Sequence, residues 1–274
     1  MNNADLPTIS IVTPSYNQGD FVEWTVRSVF EQSYPKLEYI FIDGGSTDNT
    51  LERVEPYRKR FLHFESGPDG GQSAALAKGF GYATGDIMAY LNSDDVLLPG
   101  TLNFVAEYFR QNPGVDFIYG HRCLVDEVNQ VTSHWILPPH CDFLMSRWDL
   151  IPQESCFWRR SLFEKKGNVD PTYRFAMDYD LLVRYMSAGK FKRVNRFLAA
   201  FRVHPLAKTT TQKDVGREEI KKVQEKYRIH LLPIIGILFS YWVVWRSVRW
   251  LKKGAAYPGL PPGKNFNLSE VWGE

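Results

Sequence analysis

The chain has 274 residues, 44% of them apolar and 15% aromatic, with a formal net charge of +2. That is ample for one large α/β domain, or a domain with an appendage, and does not fit a disordered or fibrous chain. The charge is uneven, with 12 Lys/Arg and 6 Asp/Glu from Leu206 onward against 21 and 25 before it. A slightly acidic body argues against nucleic-acid binding, and the basic tail is expected to meet something anionic. Cys123, Cys141 and Cys156 are odd in number and widely spaced, which fits neither a disulfide framework nor a zinc site. Reduced thiols and a cytoplasmic location are expected. Met1–Asp5 lacks the basic start and apolar run of a signal peptide.

In chain order, Ile9–Val12 is a short β-branched strand. A helix follows from Asp20, its expected cap, to Gln32, with Phe21, Val22, Val26, Val29 and Phe30 on one side. Leu37–Ile42 is the next strand and ends at Asp43-Gly44-Gly45. Thr47 or Asp48 caps a helix from Thr50 to about Arg60, and Leu62–Glu65 is a third strand. Ser66–Gly71 is a Gly/Pro-rich loop, and Gln72–Ala83 is a helix of small residues that can lie close to a sheet. The strand starting at Ile87 comes next, then a helix over Gly100–Gln111. This alternation implies a mostly parallel, Rossmann-like α/β sheet with helices on both faces and right-handed crossovers. The loops Thr13–Gly19, Asp43–Asp48, Ser66–Gln72 and Asn92–Asp95 then gather on one sheet edge.

After Phe117 the pattern changes. Phe117–Tyr119, Arg122–Val125 and Val131–Trp135 read as short, antiparallel-type strands. A helix is predicted over Asp178–Ser187 and a strand over Val194–Val203. Asp214–His230 reads as an exposed amphipathic helix with a Glu218–Lys222 pair, and Gly254–Glu274 as a loose Pro/Gly-rich end.

The most informative run is Ile87 to Asp95, an apolar strand ending in Asn92-Ser93-Asp94-Asp95. Adjacent carboxylates at a strand end suit a hard divalent cation that keeps positions for phosphate and water. The same residues, followed by Pro99-Gly100, also make an ordinary turn.

Pro14-Ser15-Tyr16-Asn17, Ile42-Asp43-Gly44-Gly45-Ser46-Thr47-Asp48, Asp69-Gly70-Gly71-Gln72-Ser73-Ala74, Asn92-Ser93-Asp94-Asp95, Asp178-Tyr179-Asp180-Leu181 and Arg202-Val203-His204 occur in that order. Together they resemble family-2 glycosyltransferases, inverting enzymes of the GT-A fold that use nucleotide-diphosphate sugars. The resemblance spans roughly residues 7–210 and implies a catalytic domain over 1–210, leaving a helical tail over 211–253 and a flexible end over 254–274. It implies that Pro14, Tyr16 and Asp43 hold a uridine or thymidine, with Tyr16 stacking on the base and Asp43 accepting from a ring N–H. Tyr16 as a core aromatic and Asp43 as a turn former are the plain alternatives. By the same resemblance Asp69, Gly71 and Gln72 form a loop over the ribose or sugar, Asp94 faces the ribose or sugar, and Asp95 and His204 bind Mn²⁺ or Mg²⁺. Imidazole favours Mn²⁺. Asp178 matches the catalytic base. It is also placed to be the N-cap of its helix, where the helix terminus would stabilise the carboxylate and weaken it as a base. Asp180 is expected to pair with Arg184. Two departures from the family pattern are Asn92, where Asp is usual, and Met177, where Glu is common.

The expected reaction is a single displacement from a nucleotide-diphosphate sugar to a hydroxyl of a cell-envelope saccharide or lipid-linked glycan. A sugar nucleotidyltransferase would want a basic phosphate loop, and Pro14–Gly19 contains no Lys or Arg. A non-catalytic nucleotide-sugar-binding protein is the other alternative. Leu231–Trp245 is a run of 15 uncharged residues, roughly 22 Å as a helix, against a bilayer core of about 30 Å. With Trp242, Trp245, Trp250, Arg246, Arg249, Lys252 and Lys253 it reads as an interfacial anchor over 231–253 at the inner face of the plasma membrane. The alternative is a helix packed on the catalytic body or on a second subunit of a homo-oligomer.

Overall fold

The computed structural model describes residues 5–230, 233–253, 259–260 and 266–268. Nine strands form one sheet: β1 (Ile9–Ser15), β2 (Leu37–Asp43), β3 (His63–Ser66), β4 (Ile87–Tyr90), β5 (Val96–Leu97), β6 (Phe117–Val125), β7 (Val131–Trp135), β8 (Cys156–Arg159) and β9 (Phe191–Arg202). The spatial order is β3-β2-β1-β4-β8-β6-β9-β5, with β7 on β6. β3, β2, β1 and β4 are parallel, β8 runs antiparallel between β4 and β6, and β9 is parallel to β6.

The helices are α1 (Val22–Phe30), α2 (Thr50–Val54), α3 (Gln72–Phe80), α4 (Thr101–Gln111), α5 (Asp142–Met145), α6 (Arg160–Lys166), α7 (Met177–Met186), α8 (Lys208–Thr211), α9 (Lys213–Lys226) and α10 (Pro233–Lys253). Period-2 alternation divides the strands between two cores. Ile9, Ile11, Tyr39, Phe41, Ile87 and Ala89 face α1, α2 and α4. Val12, Ile40, Ile42, Met88 and Tyr90 face α3, α6 and α7, around the fully buried Trp158. Each large apolar side chain so buried contributes roughly 1.5–3 kcal/mol.

Asp20 does not cap α1, which begins at Val22 without a side-chain cap. The N-cap of α2 is Asn49 rather than Thr47 or Asp48, although the Asp48 carboxylate, one residue earlier, accepts from the Thr50 N–H at 3.0 Å. The two predicted strands after Phe117 are one nine-residue strand, β6, whose register to β9 shifts on either side of His121. Gly120 lies at this irregularity. A Cβ there would come within 2.6 Å of the Arg196 carbonyl oxygen, so only glycine fits.

Two parts of the tail are integral to the body. Helix α9 is not simply exposed: Asp180 of α7 is fully buried and bonds Arg184 Nε at 2.7 Å, as expected, but also Lys226 Nζ and Tyr227 Oη, each at 2.9 Å. Among the described residues, the ion pairs within α9 are Asp214–Arg217 and Lys221–Glu225 rather than Glu218–Lys222. At the C-terminus, Phe266 and Leu268 are buried beside β7, and the Leu268 N–H donates to the Asn129 carbonyl. Leu260 packs against the same cluster, so these parts of the predicted loose end are packed, and residues 254–258, 261–265 and 269–274 lie outside the described residues.

Helix α10 docks by one face. Phe239 and Val243 join the second core, and Ser247 Oγ accepts from the Ile136 N–H at 3.2 Å. Its other face stays open, with Ile237, Leu238, Tyr241, Val244, Trp245 and Val248 exposed. No helix among the described residues is long and apolar enough to cross a membrane.

Candidate active site

A cleft of about 850 Å³ opens at the C-terminal ends of the parallel strands. Its first wall comes from the loops after β1 and β4 and the loop entering α3. Pro14 and Tyr16 line it, and Tyr16 is 60% exposed, so its ring is not a core aromatic. Asp43, one residue before the lining Gly44, is buried and turned inward. One carboxylate oxygen accepts from the Gly45 and Ser46 N–H groups and the Ser66 hydroxyl, and the other from the Ser46 hydroxyl. As it stands, Asp43 holds the loop together and does not line the cleft.

Asp69, Gly71 and Gln72 do line it. The Asp69 carboxylate accepts from the Gly71 N–H at 2.7 Å, and Gly71 adopts a φ of 95° that favours glycine. Gln72, the first residue of α3, donates to Asn92 Oδ1 at 2.6 Å. Asp94 and Asp95 then diverge. Asp94 faces the cleft with its Oδ2 at 3.1 Å from His204 Nε2, and the imidazole rests on the Phe21 ring. Asp95 is buried and accepts from the Arg202 N–H at 3.0 Å. Burial, then the neighbouring charges of Asp94 and Glu154, push Asp95 well above the usual carboxylate range.

The opposite wall is made by the segment before β8, by β6, and by the start of α7. Asp178 is the second residue of α7, not its cap. The N-cap is Ala176, without a side-chain cap, and Glu219 of α9 holds the segment entering the helix, its carboxylate accepting from the N–H groups of Arg174, Phe175 and Ala176. Asp178 is left open to the cleft, with one oxygen on the Tyr179 N–H at 2.8 Å. Its surroundings push it up to about 6: burial outweighs the helix-terminal N–H groups, and Glu154 adds to the effect. The expectation of a weakened base is thus reversed, because desolvation wins over the helix terminus.

Sequence reasoning missed much of this wall. Arg122 lies between the rings of Trp135 and Phe201, at 4.2 and 5.0 Å from their centroids, and 3.4 Å from the buried Glu154. Asp149 opens onto the cleft with an exposed side chain. Lys208, at the start of α8, reaches back to Gln72.

The sequence profile of Glycosyl transferase family 2 matches residues 10–169, more than half of the chain. The chain belongs to glycosyl transferase family 2. An uncharacterized glycosyltransferase of Nostoc sp. is 24% identical over 97% of this chain and 86% of its own length. The mannosyltransferase PcManGT of Pyrobaculum calidifontis, solved with GDP-Man and Mn²⁺, superposes over 95% of this glycosyltransferase and 78% of its own chain, with TM-score 0.62 and 17% identity. TarS 1–349 of S. aureus, solved with UDP-GlcNAc, covers 72% of this chain and 59% of its own, with TM-score 0.58 and 18% identity. The fold of this family-2 member is that of the GT-A glycosyltransferases. Its profile match includes the first wall and Glu154 but ends before Asp178, His204 and Lys208.

Proposed function

We propose that this glycosyltransferase moves a sugar from a UDP- or dTDP-linked donor to a hydroxyl of a cell-envelope saccharide or lipid-linked glycan, with inversion. One observation carries the reading. A single cleft is lined by an exposed aromatic, Tyr16, by Asp94, which the buried His204 contacts from behind, and by Asp178 on the facing wall. The nucleotide sugars bound by PcManGT and TarS support a donor of this class.

In this reading Tyr16 stacks on the base, and Asp69, Gly71 and Gln72 flank the ribose and sugar. Asp43 contacts the base only if it releases part of its loop network. Asp178 accepts the proton of the acceptor hydroxyl, and a base that titrates near neutrality suits that task. The acceptor oxygen attacks the anomeric carbon from the side opposite the nucleotide. The carbon–oxygen bond to the diphosphate breaks in the same displacement, through a transition state of oxocarbenium character.

A divalent cation, Mn²⁺ or Mg²⁺, belongs to this proposal. When bound, it would offset the charge of the leaving diphosphate as a Lewis acid. Among the described residues no cluster of three ligating side chains exists. The Asp94–His204 pair nevertheless fits a cation that draws its other ligands from phosphate and water. The inward turn of Asp95 favours Asp94 and His204 as the ligands, with Asp95 bracing the strand end from behind. Asp94→Ala should then remove the gain in UDP affinity that Mn²⁺ confers.

The open face of α10 supports the membrane reading of the tail. Its exposed apolar residues would enter the headgroup region of an anionic leaflet, with Arg246 of the same helix supplying positive charge. This would hold the enzyme at the inner face of the plasma membrane, beside a lipid-linked acceptor.

Thermal-shift screening of nucleotide sugars with and without Mn²⁺ tests the donor reading, since a specific ligand stabilises by mass action. One uridine or thymidine diphosphate sugar should raise Tm more than the others, and more with Mn²⁺. A flat response across all of them would sink it.

A further inference from the structure

Lys208 has a place in the cleft that none of the roles above accounts for. Six carboxylates line the cleft, Asp69, Asp94, Asp95, Asp149, Glu154 and Asp178, against two cationic side chains, Arg122 and Lys208. Arg122 is tied to Glu154 at the aromatic end. Lys208 stands at the other end, half-buried, with neutral partners: Gln72 Oε1 at 2.7 Å and the Arg174 carbonyl at 3.2 Å. Its partner Gln72 opens α3, where the first-turn N–H groups of a helix have no intrahelical acceptors. Lys208 is also four residues beyond His204, so one short segment after β9 carries Lys208 into the cleft and places the buried His204 against Asp94 of its lining. A partly desolvated ammonium held by neutral acceptors gains most from an anion that can replace them.

We propose that Lys208 binds the diphosphate of the donor and stabilises it as a leaving group. The inference deepens the donor reading and rests on it. Before donor binding, Lys208 is held on Gln72. With donor present, Nζ–H donates to a β-phosphate oxygen. As the bond between the anomeric carbon and that phosphate breaks, its electron pair goes to the phosphate oxygen, and the acceptor proton goes to Asp178. Lys208 remains protonated and supplies fixed positive charge where negative charge develops. The contact does not pass through the divalent cation, so its contribution should persist without one.

Calorimetry of the full chain with UDP, UMP and uridine, in Mn²⁺ and in EDTA, tests this. Lys208→Gln should weaken UDP binding at least tenfold in both media, weaken UMP less, and leave uridine unchanged. Lys208→Arg should recover a substantial part of the UDP affinity. Equal weakening of UDP and uridine, or no recovery with Arg, would show a merely structural lysine and overturn the proposal. So would parental UDP affinity in Lys208→Gln. If the parent chain binds none of UDP, dTDP and GDP, the donor reading itself fails, and this inference with it. A parent that binds UDP beside an unaffected Lys208→Gln variant overturns the Lys208 role alone.

Discussion

The two walls of the cleft are assembled differently. On the first wall, several side chains are held by their own loop or the next one, although Asp94 and Asp95 reach His204 and Arg202 at the end of β9 and beyond it. Asp43 bonds Ser46, Asp69 bonds Gly71, and Gln72 bonds Asn92. On the second, the partners come from far along the chain. Glu154 meets Arg122 across 32 residues, and the segment entering α7 is held by Glu219 across 43. The first wall is therefore set mostly by the parallel sheet, and its Asp94–Asp95 end also needs β9 and the segment after it in place. The second depends on α9 and the mixed half of the sheet being docked. Substitutions on the first wall should act on nucleotide affinity, and those on the second on turnover.

The largest expected effect is that of Asp178→Asn. Turnover should fall by about 10² or more, the usual scale for a lost general base, while UDP affinity by calorimetry stays at the parent value. Near-normal turnover would move the base elsewhere, with Glu154 the next candidate. The parent's kcat/KM should fall as pH drops through about 6, because only the unprotonated carboxylate accepts a proton. Stability has the opposite sign. A carboxyl whose folded-state value is raised costs stability above about pH 6, and the cost fades as pH falls toward its ordinary range. Asp178→Asn should hence raise Tm at pH 8, with the gain shrinking by pH 4.

Tyr16→Ala sharpens the other side of the comparison. Base stacking is worth about 1–3 kcal/mol, so Kd for UDP should rise about tenfold. Tm should hold, since the ring is already exposed. An unchanged Kd would remove Tyr16 from the nucleotide site. Glu219→Gln probes the clamp on the second wall. Loss of charged acceptors for three N–H groups should cost about 1.5–3 kcal/mol of stability and lower kcat, with UDP affinity intact. A fall in UDP affinity instead would mean that the walls are not separable. Smallest on catalysis are Ile237→Ser and Tyr241→Ser on the open face of α10. Stability should stay within about 0.5 kcal/mol and turnover on a soluble acceptor should not change, while flotation with anionic vesicles is lost. Flotation equal to the parent's would assign the face to another partner.

The same division explains what can be read in the sequence. The parallel half is legible because each strand is a continuous apolar run and each functional loop follows its strand directly. The residues of the mixed half carry no such local mark. Arg122 lies mid-strand in β6, Asp149 in an irregular segment, and Lys208 in a short polar stretch. The two-residue strand β5 is too short for any periodicity. Asp178 is a reasonable cap by sequence, yet the helix starts one residue earlier and its entry is held by Glu219, because only the tertiary fold brings α9 against α7. For the run Leu231–Trp245, length and charge argue against a full span. They do not reveal that Phe239 and Val243 face the body while Ile237 and Tyr241 do not.

The docking of α9 also bears on how this enzyme can be shortened. A fragment stopped at residue 210 retains every strand of the sheet described above, with Asp178 and His204. It would strip Lys226 and Tyr227 from the fully buried Asp180 and leave the N–H groups of residues 174–176 without their acceptor. Such a fragment would fold around its parallel half and carry a loosened base. The smallest piece worth expressing for catalysis therefore extends past Tyr227.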